Sequence, residues 1–178
     1  MVTAVNLSPV DDACVWADFP DSNYGSDLEL RVSHSRTSIA YLKFDLGSIP
    51  PDSVIQEACL TLYGKTHMWW GKSDSAEIQP TIRVHSVLNN DWSEKTITYK
   101  NAPPITETPL DSQVVESENA EYSFDVKTFV ESQWGKGDKI ISLALTALPA
   151  DSFLSGIRFA SKEDTPKAPR LHISYEPK

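Results

Sequence analysis

Two adjacent tryptophans with lysines nearby are the first residues whose types and spacing suggest a chemistry. Trp69 and Trp70 are neighbours, with Lys65 before them and Lys72 after them. A flat indole ring stacks on the apolar face of a pyranose, and lysines supply hydrogen-bond donors at the rim of such a site. Because neighbouring side chains rarely both point into a core, we expect at least one indole to face solvent. The alternative is that the loop folds back and both rings cover a sheet edge.

A second set of candidates lies on segments in which apolar and polar residues alternate. Their polar positions carry cationic or hydrogen-bonding side chains, namely Arg31, Tyr41, Lys43, Arg83 and His85. Those that share a sheet would form a basic patch suited to uronate carboxylates, which arginine contacts with two parallel hydrogen bonds. The alternative is a set of isolated side chains that are solvated or paired with acids.

Acidic and amide side chains crowd the N-terminal stretch and offer oxygen ligands to a hard cation. Asp12, Asp21 and Asn23 are the residues that we expect to hold a structural calcium ion. The segment from Asp21 to Gly25 has part of a calcium-loop pattern but lacks its first and last ligands. Turn formation accounts for most of the same residues, because Asp and Asn side chains stabilise turns. Calcium is the cofactor that the sequence suggests.

Catalytic constellations are missing from the sequence. It has no nucleophile elbow, dinucleotide fingerprint or phosphate loop, and its 4 histidines lack metal-ligand spacing. Carboxylate pairs such as Asp91 with Glu94 have the residue types of a glycosidase. With 25 acidic residues in the chain, however, such pairs arise readily by chance. We therefore predict a protein without catalytic activity; a small polysaccharide lyase or hydrolase is the alternative.

The elements that must position these residues are short strands. Period-2 runs such as Leu28–Val32, Leu42–Leu46 and Ala58–Tyr63 are separated by turn clusters of Pro, Gly, Asp, Asn and Ser. This pattern predicts a two-sheet antiparallel sandwich. The nearly continuous apolar run Ile140–Leu145 predicts a central strand that is covered on both faces. One helix is predicted, with Asp125 as its N-cap and Gly135 at its end.

Length, charge and cysteine content limit the remaining function classes. The 178 residues suit one domain, assigned to 1–178 and predicted to be part of a larger protein. A net charge of −9 disfavours nucleic acid, and no apolar run is long enough to span a membrane. No signal peptide opens the sequence, so for a secreted protein we expect a mature or excised piece. If the neighbours of Cys14 and Cys59 face the core, both sulfurs point outward and can form a disulfide; the alternative is two free thiols.

Several strings, in order and at compatible spacing, extend over most of the chain. They are Asp12–Val15, Asn23–Ser26, Leu30–Val32, Tyr41–Leu46, Ala58–Tyr63, Asp91–Glu94, Thr96–Tyr99, Asn101–Pro103, Phe124–Val126 with Trp134, Phe159–Glu163 and Pro169–Tyr175. Together they resemble the DNRLRE-domain proteins between about residues 7 and 175. The chain departs from that pattern at Tyr99 (usually Trp), Lys127 (usually Thr) and Lys162 (usually Arg).

The resemblance implies a jelly-roll-like β-sandwich that is a non-catalytic module of larger secreted or surface proteins of microbes. Part of the family is grouped as carbohydrate-binding module family 96, whose described ligand is alginate, and members are attached to polysaccharide lyases. The implied function is polysaccharide binding outside the cell or at its surface, with alginate or another acidic glycan as ligand and a neutral plant or algal glycan as the second choice. A structural or adhesive domain, with the tryptophan loop as a protein contact, is the alternative.

Overall fold

Segments in which apolar and polar residues alternate form strands, because successive side chains of a strand point to opposite faces and the apolar face can be buried. The computed structural model describes residues 1–34, 37–68, 80–115, 120–148 and 155–178, and only the backbone of 65–68 and 155. Its strands are β1 (Thr3–Leu7), β2 (Asp11–Trp16), β3 (Glu29–Ser33), β4 (Ser38–Asp45), β5 (Val54–Met68), β6 (Thr81–Val87), β7 (Asp111–Val114), β8 (Ala120–Asp125), β9 (Ile140–Ala147), β10 (Ser155–Ala160) and β11 (Arg170–Glu176). Helix α1 spans Lys127–Gly135, and a 3-10 helix spans Thr165–Lys167.

The strands form two layers that are joined at one corner. In the first layer β5 pairs with β8 along one edge, and with β11 and then β10 along the other; β1 and β3 lie outside β11 and β10. The second layer has the order β2-β4-β9-β6-β7. The pair Ser33 with Ser38 links β3 to β4 at the corner. All described pairs are antiparallel, which confirms the predicted jelly-roll-like sandwich with one short helix.

The core lies between the two layers and is built from alternate residues of each strand. Leu60 and Leu62 of β5 are fully buried against residues such as Leu42 and Phe44 of β4. Burial of a side chain of this size stabilises the fold by about 1.5 to 3 kcal/mol. The alternation seen in the sequence is therefore the pattern of a face that is removed from water.

The outer face of the second layer is also covered, by the segment 88–106. Trp92 and Ile97 of this segment pack with Tyr41 and Ala144 in a second apolar cluster. Ile141, Leu143 and Leu145 of β9 face the main core, while Ala144 faces the second cluster. The prediction that the apolar run of β9 is covered on both faces is thus confirmed.

Helix α1 begins later than the sequence pattern predicts. Its N-cap is Val126, whose side chain cannot accept a hydrogen bond, so the assignment of Asp125 as N-cap is wrong by one position. Asp125 still contributes, because its Oδ1 accepts a hydrogen bond of 2.9 Å from the amide of Lys127. The helix ends at Gly135 as predicted. Among the described residues, no helix has both the length and the apolar character that crossing a membrane requires.

The two cysteines occupy different environments and are both free thiols. Cys14 lies in the main core, because its neighbours Ala13 and Val15 face the second cluster instead. The expectation that its sulfur points outward is therefore wrong. Cys59 is partly exposed, since its neighbours Ala58 and Leu60 are core residues. The two sulfurs thus leave their strands on different faces of the fold.

Candidate functional site

Four of the predicted basic-patch residues do share one face, the outer face of the second layer. The register places Tyr41, Ala144 and His85 in one row across β4, β9 and β6. Lys43 lies opposite Ser142 of β9, and Arg83 lies opposite Thr146. The strand order thus determines which of the predicted polar positions share a sheet, which the sequence left open.

That face, however, is the one that segment 88–106 covers. The hydroxyl of Tyr41 donates a hydrogen bond of 2.9 Å to the carbonyl of Pro103. The Lys43 ammonium donates to the carbonyl of Trp92 and lies 3.2 Å from Asp11 Oδ2. His85 Nδ1 is 2.7 Å from the carbonyl of Thr106. Because these three side chains hold the covering segment, the prediction that they form an exposed basic patch is wrong.

The electrostatics of the three residues agree with a packing role. Burial raises the pKa of Tyr41 to about 12. Burial lowers the pKa of His85 and the nearby charge of Arg83 acts in the same direction, while the hydrogen bond with the Thr106 carbonyl opposes them. Arg83 itself is partly buried. No described contact assigns Arg83 a ligand-binding role, and its place in a glycan site stays a prediction.

Arg31 lies elsewhere, in a row of cationic positions across the first layer. Its cross-strand partner in β10 is Arg158, and the partner of Arg158 in β5 is Lys65. Adjacent strands lie about 4.8 Å apart, so the three positions follow one another across the sheet. Two residues of this row, Arg31 and Lys65, were predicted from the sequence, and the strand order places Arg158 between them.

The row borders an open cleft of ≈ 600 Å³ on the outer face of β3, β10 and β5. Besides both arginines, the cleft is lined by Asp27, Glu29, Tyr63, Asp164 and Lys167, with smaller and apolar residues between them. The ammonium of Lys167 lies 4.8 Å from the centre of the Tyr63 ring. The cleft thus combines an aromatic ring, cations and carboxylates, which are the groups that orient a sugar.

Gly64 lies in the floor of this cleft, and the core beneath it leaves no room for a larger side chain at this position. A Cβ at this position would lie 2.4 Å from Cδ1 of Phe159, whose ring is fully buried. The register pairs the two residues across β5 and β10. Glycine therefore lets the aromatic core come directly under the cleft.

Both arginines of the cleft are paired with carboxylates. Arg158 Nη1 lies 2.8 Å from Glu29 Oε2, and Arg31 Nη1 lies 3.4 Å from Asp27 Oδ2. The guanidinium carbon of Arg31 also lies 5.9 Å from the centre of Trp16 and 5.7 Å from that of Tyr24. The guanidinium groups are therefore held in defined positions while a quarter of each side chain remains exposed, 24% for Arg31 and 25% for Arg158.

The tryptophan loop lies outside the described residues. This applies to Trp69, Trp70 and Lys72 in full, and to the side chain of Lys65. The proposed sugar-stacking role of the tryptophans stays a prediction. The backbone of β5 nevertheless runs to Met68, directly beyond the position of Lys65 in the cationic row.

Asp12 is the centre of a polar network that joins distant motifs. Its amide donates to Glu94 Oε2 at 3.1 Å, and its Oδ2 accepts from the amide of Lys162 at 2.7 Å. The Lys162 ammonium lies 3.0 Å from Glu94 and 2.5 Å from Glu163. Asn23 adds a hydrogen bond of 2.7 Å from Nδ2 to the carbonyl of Glu94. The network therefore joins four of the segments that carry the family resemblance, and these segments stabilise the fold.

Burial and charge shift the acidities in this network. Burial raises the pKa of Asp12 to about 7, and the charges of Glu163 and Glu94 act in the same direction. The hydrogen bond to Glu163 raises the pKa of Lys162. Burial acts to raise the pKa of Glu163, but its hydrogen bonds with Lys162 and Ser161 outweigh burial and hold that pKa below its usual value.

The three predicted calcium ligands make contacts with different residues. Asp21 lies 3.1 Å from the ammonium of Lys100, and Asn23 Oδ1 accepts from the amide of Gly25 at 3.2 Å. The carboxylates that approach Asp12 are those of Glu94 and Glu163, with oxygens within 4.8 Å of one another. Calcium binding stays a prediction, and Lys162 already supplies a cation to both glutamates.

Of the residues that line the cleft, only Arg31 was predicted from the sequence, and Arg158, Tyr63 and Lys167 are among those missed. Arg158 is the polar position of a short alternating run, Ile157 to Phe159, so the rule that selected Arg31 could have found it. Tyr63 closes the alternating run of β5 and carried a similar signal. Lys167 belongs to a 3-10 helix, where no periodicity marks which residues face a cleft.

The chain is similar to a known protein family and to part of a longer enzyme. The sequence model of carbohydrate-binding module family 96 matches residues 3–175. A gellan lyase from a Bacillus species is 28% identical over 178 residues, which are 98% of this chain. The chain spans 7% of the length of that lyase. The similarity thus concerns a small part of a much longer protein.

Proposed function

Since the chain belongs to carbohydrate-binding module family 96, we propose that its cleft binds an acidic polysaccharide through Arg31, Arg158 and Lys167. The observation that carries the proposal is the row of cationic positions across three adjacent strands. A polysaccharide repeats its carboxylates along the chain, and a row of cations can contact more than one of them. Arginine is suited to this task because its planar guanidinium binds a carboxylate with two hydrogen bonds.

The proposed ligand class rests on resemblance and on one relative. Alginate is the described ligand of the family, and the similar protein is a gellan lyase. Both names indicate polysaccharides, and alginate bears carboxylates. Tyr63 would offer its ring to the apolar face of a sugar while the cations hold the carboxylates. We therefore place an acidic glycan ahead of a neutral one.

We propose that the module binds this glycan without cleaving it. The family assigns the chain a binding role, and the chain matches a small part of the lyase. A module of this kind keeps a tethered catalytic or surface domain close to its polysaccharide, which raises the effective concentration of substrate. An extracellular or cell-surface location follows from this role. A panel of polysaccharides incubated with the protein would reveal an enzyme by product release.

Affinity electrophoresis and calorimetry with alginate, gellan and a neutral glucan test the proposal. Arg158→Gln and Arg31→Gln should each weaken binding to an acidic glycan by about tenfold or more, because each removes a charged hydrogen-bonding partner. The matched control is Arg170→Gln, whose guanidinium pairs with Glu121 at 2.6 Å and is not among the residues that line the cleft. Unchanged affinity in both cleft variants, with melting temperatures like the wild type, would contradict the proposal.

The same experiment separates the cleft from the tryptophan loop. Trp69→Ala and Trp70→Ala test the stacking role that the sequence suggests. Loss of binding in these variants alone would move the site from the cleft to the loop. If no glycan binds and the protein self-associates in sedimentation, the structural or adhesive alternative is favoured.

A further inference from the structure

We propose that Asp27 and Glu29 set the charge selectivity of the cleft, because each holds the guanidinium that an acidic sugar would use. This inference rests on the proposed function. On binding, a carboxylate of the glycan would exchange with a carboxylate of the protein. The two acids would then act as internal competitors, and only a ligand that supplies its own anion would replace them well.

The geometry of the pairs supports exchange at both arginines. Glu29 lies in β3 two residues before Arg31, and its Oε2 contacts Arg158 of the adjacent strand at 2.8 Å. Asp27 reaches Arg31 at the longer distance of 3.4 Å. The acid side chains are 33% and 34% exposed, respectively for Asp27 and Glu29, so each can turn toward water when it is displaced.

Arg31 has additional support that does not depend on Asp27. The rings of Trp16 and Tyr24 lie within 6 Å of its guanidinium carbon. A cation so placed is attracted to the electron-rich faces of aromatic rings. The guanidinium would therefore keep its position when Asp27 is displaced, and it would face the incoming carboxylate without reorganising.

The charge balance of the cleft explains why exchange matters. Its lining has three cations (Arg31, Arg158 and Lys167) and three acids (Asp27, Glu29 and Asp164). The whole chain carries −9. Neither the cleft nor the molecule therefore attracts a polyanion over long distances. Affinity for an acidic glycan must arise from contacts, and those contacts are already made by the protein's own carboxylates.

A neutral sugar meets a different situation in the same cleft. Its hydroxyls are weaker acceptors for a guanidinium than a carboxylate is, so they cannot displace Glu29 or Asp27. They would bind around the intact ion pairs. Removal of the internal acids should therefore change the affinity for acidic glycans and leave that for neutral glycans unchanged.

The test compares Glu29→Gln and Asp27→Asn with the wild type by calorimetry on alginate and on a neutral glucan. We expect each variant to bind alginate about twofold to fivefold more tightly, the range in which one exposed ion pair contributes. Glu121→Gln is the matched control, because it removes the same charge from the ion pair with Arg170, outside the residues that line the cleft. The control should bind alginate like the wild type.

The outcomes separate this inference from the proposed function. Weaker alginate binding by Glu29→Gln and Asp27→Asn would overturn the inference and show that the acids orient the arginines instead. Equal binding would overturn it by showing that the acids do not compete with the glycan. If Arg158→Gln weakens binding at the same time, the cleft remains the site. If all four cleft variants bind like the wild type, the site itself is refuted. Should Glu29→Gln not fold, Asp27→Asn tests the same exchange at Arg31.

Discussion

Asp12 joins distant segments of the chain through hydrogen bonds, and the burial of its carboxyl also costs folding free energy. It is 1% exposed, and its Oδ1 has no hydrogen-bond partner among the described residues. A buried polar atom without a partner costs free energy, and an ionised carboxylate costs more than a neutral one. This cost appears as the raised pKa of Asp12, about 7 against the ordinary value of 3.8.

The pH dependence of stability should follow from Asp12. Its pKa is higher in the folded than in the unfolded chain, so its contribution is full below about pH 4 and is lost as the pH rises through about 7. Asp12→Asn lacks this loss and should be the more stable protein at about pH 8, by roughly 1 to 3 kcal/mol. Urea unfolding of both proteins between about pH 4 and 8 measures the difference.

The measurement is made with a chelator, because a bound divalent cation would hold Asp12 ionised and hide the effect. Asn at this position keeps an acceptor for the Lys162 amide, so the network is preserved at low pH. Parallel pH profiles for the two proteins would show that the Asp12 carboxyl is not the titrating group.

Among the elements of the fold, segment 88–106 covers strand residues that would otherwise be exposed to solvent and to a ligand. Tyr41 and Lys43 alternate with core residues as exposed positions do, yet both are buried under this segment. Trp92 supplies apolar area to the contact and also donates from Nε1 to Ser142 Oγ at 3.0 Å. A stretch without regular strands thus performs the packing role of a third layer.

Removal of one hydroxyl tests this role. Tyr41→Phe should lower the free energy of unfolding by about 1 to 2 kcal/mol, because the buried carbonyl of Pro103 loses its donor. Tyr99→Phe is the control, since Tyr99 is 37% exposed. Urea unfolding of the two variants should show a shift for Tyr41→Phe alone. Equal midpoints would mean that the hydroxyl does not hold the segment.

At the scale of the whole molecule, net charge and local charge act in opposite directions. The −9 charge repels a polyanion, whereas Arg31 and Arg158 would offer contacts to it in the proposed cleft. Salt screens the long-range repulsion, but binding of a polyanion to cationic side chains releases its condensed counterions, and added salt opposes that release.

Salt should therefore weaken binding to an acidic glycan. Between about 50 and 500 mM sodium chloride we expect a fall in alginate affinity of several-fold, and no change for a neutral glucan. Calorimetry at three salt concentrations measures both. An alginate affinity that rises with salt would show that long-range repulsion governs the encounter and that the cationic row is not the contact surface.

The amino-acid sequence was sufficient to predict most of the strands and, where alternation is clear, which side of the strand faces the main core. Alternation in the runs around Leu42, Leu60 and Phe159 sufficed for this, because period 2 is a local property of the extended chain. It also indicated the two-sheet class and the family resemblance. It could not show what lies on the polar side of a strand.

Which residues lie side by side across strands, and which strand faces are covered by another segment, depends on the tertiary structure. Arg158 stands between Arg31 and Lys65 because β10 lies between β3 and β5, a pairing of segments that are far apart in the chain. Tyr41 and Lys43 are buried because segment 88–106 folds over them, whereas Arg31 borders an open cleft. Both outcomes depend on long-range packing. Local periodicity carries no information about which segment arrives at a given face.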